Sequence, residues 1–148
     1  MEGFTFCGVA ADEVPFVVDS WARSFRDSPW AGCLSNEHYQ EAQRATINDL
    51  LARGVHVCVA IPQQGDRRVC AFVAYEAPDV IHYVYTKQKF RKMGLADALI
   101  EFTAIKRGRF TFRTPASEFL LRRGFVWTPI PARVTCWRPP GVPHVDAP

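Results

Sequence analysis

The chain has 148 residues, 48% hydrophobic, 13% aromatic and 22% charged, enough to bury the core of one soluble domain and too aromatic for a disordered chain. Eighteen Lys and Arg against fifteen Asp and Glu leave a net charge of only +3, too small to announce nucleic-acid binding. No apolar run approaches the roughly 18 residues of a membrane span, and the start Met1-Glu2-Gly3-Phe4 lacks the parts of a secretory signal, so the expected compartment is the cytosol.

Gly3 to Ala10 reads as a first strand, and Asp12 is placed to cap a helix with Phe16, Val17, Trp21 and Phe25 on one face. The turn-rich run 26–32, with Trp30 in its middle, breaks that helix. Ser35 or Asn36 caps a second helix to Arg53, with Tyr39, Ala42, Ile47, Leu50 and Leu51 inward and Gly54 as its stop. Val55 to Ile61 alternates as a strand, residues 62–66 turn, and Arg68 to Tyr75 is the returning strand. After a turn at Pro78-Asp79, Val80 to Thr86 is a strand and Lys87 to Gly94 a basic loop. Leu95 to Lys106 is a helix with Leu95, Ala98, Leu99, Phe102 and Ile105 inward. Phe110 to Arg113 is a short strand and Pro115 to Arg123 a short helix stopped by Gly124, with two strands following around Val126 and Val134 to Trp137. Four prolines in 139–148 mark a loose tail, leaving residues 1–138 as a single domain. The order β-α-α-β-β-β-α-β-α-β-β is that of a mixed α/β fold.

The five cysteines (Cys7, Cys33, Cys58, Cys70, Cys136) are odd in number and lack a Cys-x-x-Cys pair, which points to reduced, mostly buried thiols. The four histidines (His38, His56, His82, His144) have no metal-ligand spacing, so no metal is expected. Charge is more informative in its distribution. Between Lys87 and Arg123 ten basic residues face only Asp97, Glu101 and Glu118, and this half should attract an anion. Within it, an apolar strand feeds Arg91-Lys92-Met93-Gly94-Leu95-Ala96, the head of an amphipathic helix. The first amides of a helix lack intrahelical partners and sit at the positive end of its dipole. Gly94 and Ala96 remove bulk there, so a pyrophosphate can approach the amides of Met93 through Ala96, with Arg91 and Lys92 beside it.

Arg91-x-x-Gly94-x-Ala96, after an apolar strand and before Leu99-Ile100, resembles the acetyl-CoA signature of the Gcn5-related N-acetyltransferase (GNAT) superfamily. The element order agrees, and the run from Ala116 through Phe119 and Leu120 to Gly124-Phe125 is similar to the superfamily's penultimate helix and turn. The resemblance implies a mostly antiparallel sheet, splayed at the acetyl-CoA site and flanked by about four helices. It implies acetyl-CoA, or another acyl-CoA, as co-substrate. Backbone groups of Val84, Tyr85 and Thr86 would pair with the pantetheine arm, Arg91 to Ala96 would hold the pyrophosphate, and Arg122 or Arg123 would reach the adenosine phosphate.

Acyl transfer to an amine needs a base, an oxyanion donor and a proton for the departing thiolate. A backbone N–H near Val84 suits the oxyanion. His82, nine residues before Arg91, is the leading base, at a position resembling a histidine base of the arylalkylamine branch; Glu76 and Asp79 are carboxylate alternatives. Where many members of that superfamily place a thiolate-protonating tyrosine this chain has Leu120, so either Tyr83, Tyr85 or water serves or the enzyme is atypical. The acceptor, a small-molecule or protein amine, is expected at Ser28, Trp30, Asn36, His38 and Tyr39. Two other readings stay open: a nucleic-acid-modifying enzyme using the basic face and Trp30, and a non-catalytic module that binds CoA or a protein partner. No membrane partner is expected, and assembly as a monomer or homodimer is open. Gly-x-Gly-x-x-Gly and P-loop patterns are missing, which disfavours a Rossmann or P-loop nucleotide enzyme.

Overall fold

A computed structural model of the protein describes residues 2–24 and 35–129, without the side chains of Asn36 and Pro115. Strands β1 (Phe4–Gly8), β2 (His56–Pro62), β3 (Ala71–Glu76), β4 (Val80–Thr86), β5 (Arg109–Phe110) and β6 (Val126–Trp127) lie side by side in that order in one sheet. Helices α1 (Val14–Ser24), α2 (Asn36–Ala52), α3 (Leu95–Phe102) and α4 (Glu118–Arg122) flank it. The first four strands pair antiparallel, while β4–β5 and β5–β6 are parallel because α3 and α4 each return the chain to the same end. This is the mixed, mostly antiparallel sheet with four helices that the sequence implies. Among the described residues no helix is long and apolar enough to cross a membrane.

Strand alternation divides the core between the two faces of the sheet. Val57, Val59, Phe72 and Ala74 pack with Trp21 of α1 and Leu50 of α2. Ala60, Ala71, Val73 and Ile81 pack on the opposite face with Leu99 of α3 and Leu120 of α4. Each fully buried aliphatic or aromatic side chain contributes about 1.5–3 kcal/mol, so the two layers fix the sheet between them. β5 can lie close to β4 because Gly108 carries no side chain. A Cβ there would stand 1.9 Å from the Asp79 carbonyl oxygen, which instead accepts the Arg109 amide at 2.8 Å.

Several boundaries differ from the sequence expectation for local reasons. Asp12 does not cap α1; it lies in a 3-10 turn, Ala11–Glu13, whose N-cap is Ala10, and the Ala10 amide donates to Glu13 Oε2 at 2.8 Å. The same carboxylate accepts Arg67 Nε at 3.0 Å and Nη2 at 3.2 Å, tying the head of α1 to the β2–β3 connection. Ser35 is the cap of α2, its hydroxyl accepting the His38 amide. β3 begins at Ala71 rather than Arg68; before it Cys70 still reaches the Ala60 carbonyl at 2.8 Å.

α3 stops at Phe102, short of Lys106, because the Thr103 hydroxyl donates to the Ile100 carbonyl at 2.7 Å and Ala104 turns left-handed at φ 61°. That turn returns Ile105 to the core and leaves Phe102 52% exposed instead of inward. β5 covers Arg109–Phe110 only, and the expected 115–123 helix opens with a 3-10 turn, Pro115–Ser117. Cys58 and Cys70 are buried and Cys7 half-buried, all three free thiols. Cys33, Cys136, His144, the 26–32 turn, the strand around Val134 to Trp137 and the proline-rich tail lie outside the described residues.

Candidate active site

The register between β3 and β4 passes from Ala74↔Tyr83 to Tyr75↔Ile81, so His82 is one extra residue on β4, a β-bulge. Side-chain directions record it. Ile81 and Val84, not Ile81 and Tyr83, share the α3 face, while His82 lies near the Trp21 ring on the α1/α2 face, where Tyr83 also packs. The bulge turns the imidazole toward β5. Its Nδ1 lies 3.0 Å from Thr111 Oγ1, just past the end of β5, and its Nε2 lies 3.2 Å from Glu76 Oε1, at the end of β3. A carboxylate can only accept, so Nε2 carries the hydrogen, Nδ1 is the acceptor, and Thr111 donates to it. His82 is 5% exposed, whereas the Glu76 side chain is 43% exposed. Burial holds the imidazole pKa below its ordinary 6.5; the Glu76 carboxylate pulls upward and Arg53 adds to the lowering. The ring is therefore neutral near pH 7, with an acceptor lone pair engaged by a hydroxyl. Glu76, His82 and Thr111 all line one cavity of about 300 Å³, together with Arg53 and Arg109.

The bulge also redirects the backbone. The Lys87 amide donates to the Cys70 carbonyl at 2.9 Å, which makes Ala71↔Thr86 and Val73↔Val84 non-hydrogen-bonded pairs. The N–H and C=O groups of Val84 and Thr86 consequently point away from β3, toward β5. Among the described residues they find no strand there, because β5 meets β4 only at Val80 and Ile81 and its last bond to β4 is the Thr111 amide to the Ile81 carbonyl at 3.1 Å. Beyond it no bond joins β4 to the chain after β5 among the described residues, leaving an open edge on β4. Arg91 closes part of this edge by donating from Nε to the Thr86 carbonyl at 3.3 Å.

That open edge leads to the head of α3. Lys92 and Gly94 have φ of 66° and 79°, two left-handed residues within three, and Gly94 is the N-cap of α3. For lysine this conformation is uncommon and strained, the kind of backbone outlier that clusters at ligand sites. The amides of Lys92 through Asp97 have no hydrogen-bond acceptor among the described residues, and the first helical bond is Ala98 N–H to the Gly94 carbonyl at 3.0 Å. Such a concave run of amides at a helix start suits an anion.

No family model matches the chain, and no curated protein matches it in sequence. Solved structures do resemble it. A GCN5-related N-acetyltransferase from Rhodopseudomonas palustris superposes with a TM-score of 0.56 at 16% identity over 84% of this chain and 82% of the other. A proposed acetyl transferase from Pyrococcus furiosus gives 0.60 at 15% identity over 97% and 99%. A Corynebacterium glutamicum structure described as histone acetyltransferase HPA2 and related acetyltransferase gives 0.53 at 15% over 68% and 69%. The fold is that of the GNAT superfamily.

In the GNAT frame the expected residues fall into distinct places. Val84, Thr86 and the run 91–96 lie along the open edge and the amide cradle. Tyr85 is half-buried, its ring stacked 5.3 Å from Phe72 and edge-on to Phe16. Tyr83 is 6% exposed and stacked 5.5 Å from Trp21, where burial pushes its phenol up to about 12, the Ser24 hydroxyl opposing. Leu120 is a core residue under α4, 2% exposed. Asp79 is drawn to Arg109 Nη2 at 3.6 Å. Arg123 is occupied by Asp97 at 3.4 Å and Glu101 at 3.2 Å, stapling α4 to α3, while Arg122 is exposed. His38 is exposed at the head of α2, its Nδ1 2.7 Å from Ser35 Oγ, and Tyr39 is buried. Ser28 and Trp30 lie outside the described residues, as does the Asn36 side chain. Sequence reasoning missed Thr111, Arg53 and Arg109. Nothing marks a lone threonine just past a two-residue strand, but the resemblance, by making β5 the parallel neighbour of the His82 strand, could have found it.

Proposed function

We propose that the protein is an acyl-CoA-dependent N-acyltransferase, acetyl-CoA being the expected donor. The observation that carries the reading is the row of unbonded amides from Lys92 to Asp97, set where the open edge of β4 ends. Those amides, with Lys92 and Arg91 beside them, fit a diphosphate, and the outward groups of Val84 and Thr86 fit an extended amide-bearing arm that adds like a strand. Bound acyl-CoA supplies an activated thioester carbon, to which an amine nitrogen bonds while the carbon–sulfur bond breaks.

The chain's own groups then divide the work. The Val84 amide is directed at the cleft, where it can donate to a developing oxyanion. Thr111, already donating its hydrogen to His82 Nδ1, has oxygen lone pairs left to accept an N–H of the incoming amine. As the amine gives its proton to Thr111 Oγ1, the hydroxyl hydrogen passes to Nδ1, and the resulting imidazolium is stabilised by Glu76 on Nε2. A histidine kept neutral by burial is ready for this at neutral pH. Tyr85, half-buried beside the open edge, is the phenol available to the departing thiolate; Tyr83 is committed to the core.

One observation favours a second reading, a non-catalytic acyl-CoA-binding module: Leu120 is packed in the core where many GNAT relatives carry a tyrosine. Calorimetry and a thiol-release assay separate the two. Acetyl-CoA is expected to bind where NAD and ATP do not, and Gly94→Glu is expected to abolish that binding by placing bulk and negative charge against the amides. Thiol release with an amine supports the transferase; binding without release on a broad amine panel supports the module. Equal acetyl-CoA affinity in Gly94→Glu would remove the cradle.

A further inference from the structure

The acyl-transfer reading leaves the acceptor undefined, and the cavity beside His82 speaks to it. Its wall combines a proton-handling group, Glu76, His82 and Thr111, with two arginines that this chemistry does not use, Arg53 and Arg109. The elements fix both arginines in place. Arg53 is the C-cap residue that closes α2, its backbone amide turned back onto the last carbonyls of the helix. Arg109 opens β5 two residues before Thr111, about 6.5 Å along the strand and on the same face.

Arg53 has no carboxylate partner among the described residues, and its charge is felt at His82, where it disfavours the imidazolium. Among the described residues Arg109 is paired with Asp79, at 3.6 Å, between side chains 54% and 44% exposed, a loose contact that leaves donors for a ligand. With His82 neutral, Glu76 is the one acidic residue among the described lining of a cavity that also holds Arg53 and Arg109, Asp79 touching Arg109 from outside that lining. A simple alkylamine would meet attraction at Glu76 and repulsion from both arginines. A compact molecule bearing a cation and an anion would meet complementary charge at each end, and about 300 Å³ is at the small-ligand end of binding cavities. The apolar sides of Leu50 and Val80 lower the local dielectric and sharpen the discrimination.

Resting on the acyl-transfer reading, we propose that the acceptor is a small amine carrying an anionic group, a carboxylate or a phosphate. Its nitrogen meets Glu76, His82 and Thr111 while its anion is held by Arg53 and Arg109.

The test uses the full chain and matched acceptors: 4-aminobutyrate and β-alanine against their carboxamides, and phosphoethanolamine against ethanolamine. With acetyl-CoA, the charged member of a pair is expected to exceed the neutral one in kcat/KM by about 30-fold or more, as expected of charge-assisted contacts. In Arg53→Met and Arg109→Met that ratio is expected to collapse toward one, with Lys at either position keeping part of it. Whether the carboxylate or the phosphate pair gives the larger ratio identifies the anion. A second readout needs no turnover. The arginine Nε–H NMR signals of the CoA-saturated or the ligand-free protein are expected to move with 4-aminobutyrate or phosphoethanolamine, and not with 4-aminobutanamide. Equal kcat/KM within pairs, ratios untouched by both Met variants, or arginine signals unmoved by either zwitterion would overturn the proposal. Calorimetry with acetyl-CoA reports on the parent reading by itself: failure there with arginine signals that respond to zwitterions removes acyl transfer and leaves an anion-and-amine site. Acetyl-CoA binding with unresponsive arginines removes the acceptor class alone.

Discussion

At the scale of single residues, the base role proposed for His82 rests on two contacts, and each predicts a phenotype. His82→Ala is expected to lower kcat by on the order of 10²-fold with acetyl-CoA affinity retained, measured by thiol release and calorimetry side by side. Thr111→Val should approach that loss while Thr111→Ser retains most of the rate, because only serine keeps the hydroxyl that bonds Nδ1. A merely structural Thr111 would be rescued by the isosteric valine instead. The imidazole also links folding to pH. Its pKa is lower in the folded protein than the 6.5 of the unfolded chain, so the unfolded state binds the extra proton first. Stability is therefore expected to be level above pH 6.5 and to fall as the pH drops below it toward the folded value. Glu76→Gln should steepen that fall by removing the group that opposes it, and melting temperatures between pH 8 and 5 check both statements. His82 was legible in sequence as an ionisable group on an otherwise apolar strand. Its partner Thr111 was not, because the parallel β4–β5 contact joins residues 29 positions apart and rests on two residue pairs.

Among the elements, β4 matched its predicted span at both ends, since a run rich in β-branched and aromatic residues stands between a turn and a basic loop. α3 did not. Its apolar period runs on to Ile105, but the Thr103 hydroxyl and the left-handed Ala104 end the helix first, and a hydroxyl bonding a carbonyl three residues back leaves no trace in hydropathy. The cap of α1 misled for a similar reason: Asp12 is a good cap by type, but the Ala10 amide is satisfied by Glu13, which Arg67 holds from far along the chain. The β4–β5 junction carries the sharpest prediction at this scale. In Gly108→Ala the new methyl meets the Asp79 carbonyl, main chain that cannot give way cheaply, so β5 must shift from β4. A loss of about 2–4 kcal/mol is expected, read as a drop in melting temperature of roughly 5 to 15 °C, with a reduced rate because Thr111 moves along with the strand.

For the molecule as a whole, the layered order of strands and helices was readable because each face of the sheet needs its own apolar partner, and hydropathy periodicity reports those faces directly. Sites are assembled across layers, so they are less readable: the cavity draws Arg53 from the end of α2, Glu76 from β3 and Arg109 from β5, three segments with no sequence pattern in common. The second layer also explains why an absent tyrosine cannot simply be put back. Leu120 is sealed between α4 and the sheet, so Leu120→Tyr should overpack that layer and cost about 1–3 kcal/mol; urea unfolding at constant m-value would register it, and a gain in acetyl transfer would contradict the placement. The irregularity at position 82 has one last consequence. A single inserted residue both swings the imidazole across the sheet and reverses which main-chain amides look into the gap, so the proposed proton acceptor and the proposed oxyanion donor stand or fall together. Excising that one codon would restore regular pleating and erase both together, leaving a tidier strand with no chemistry on it.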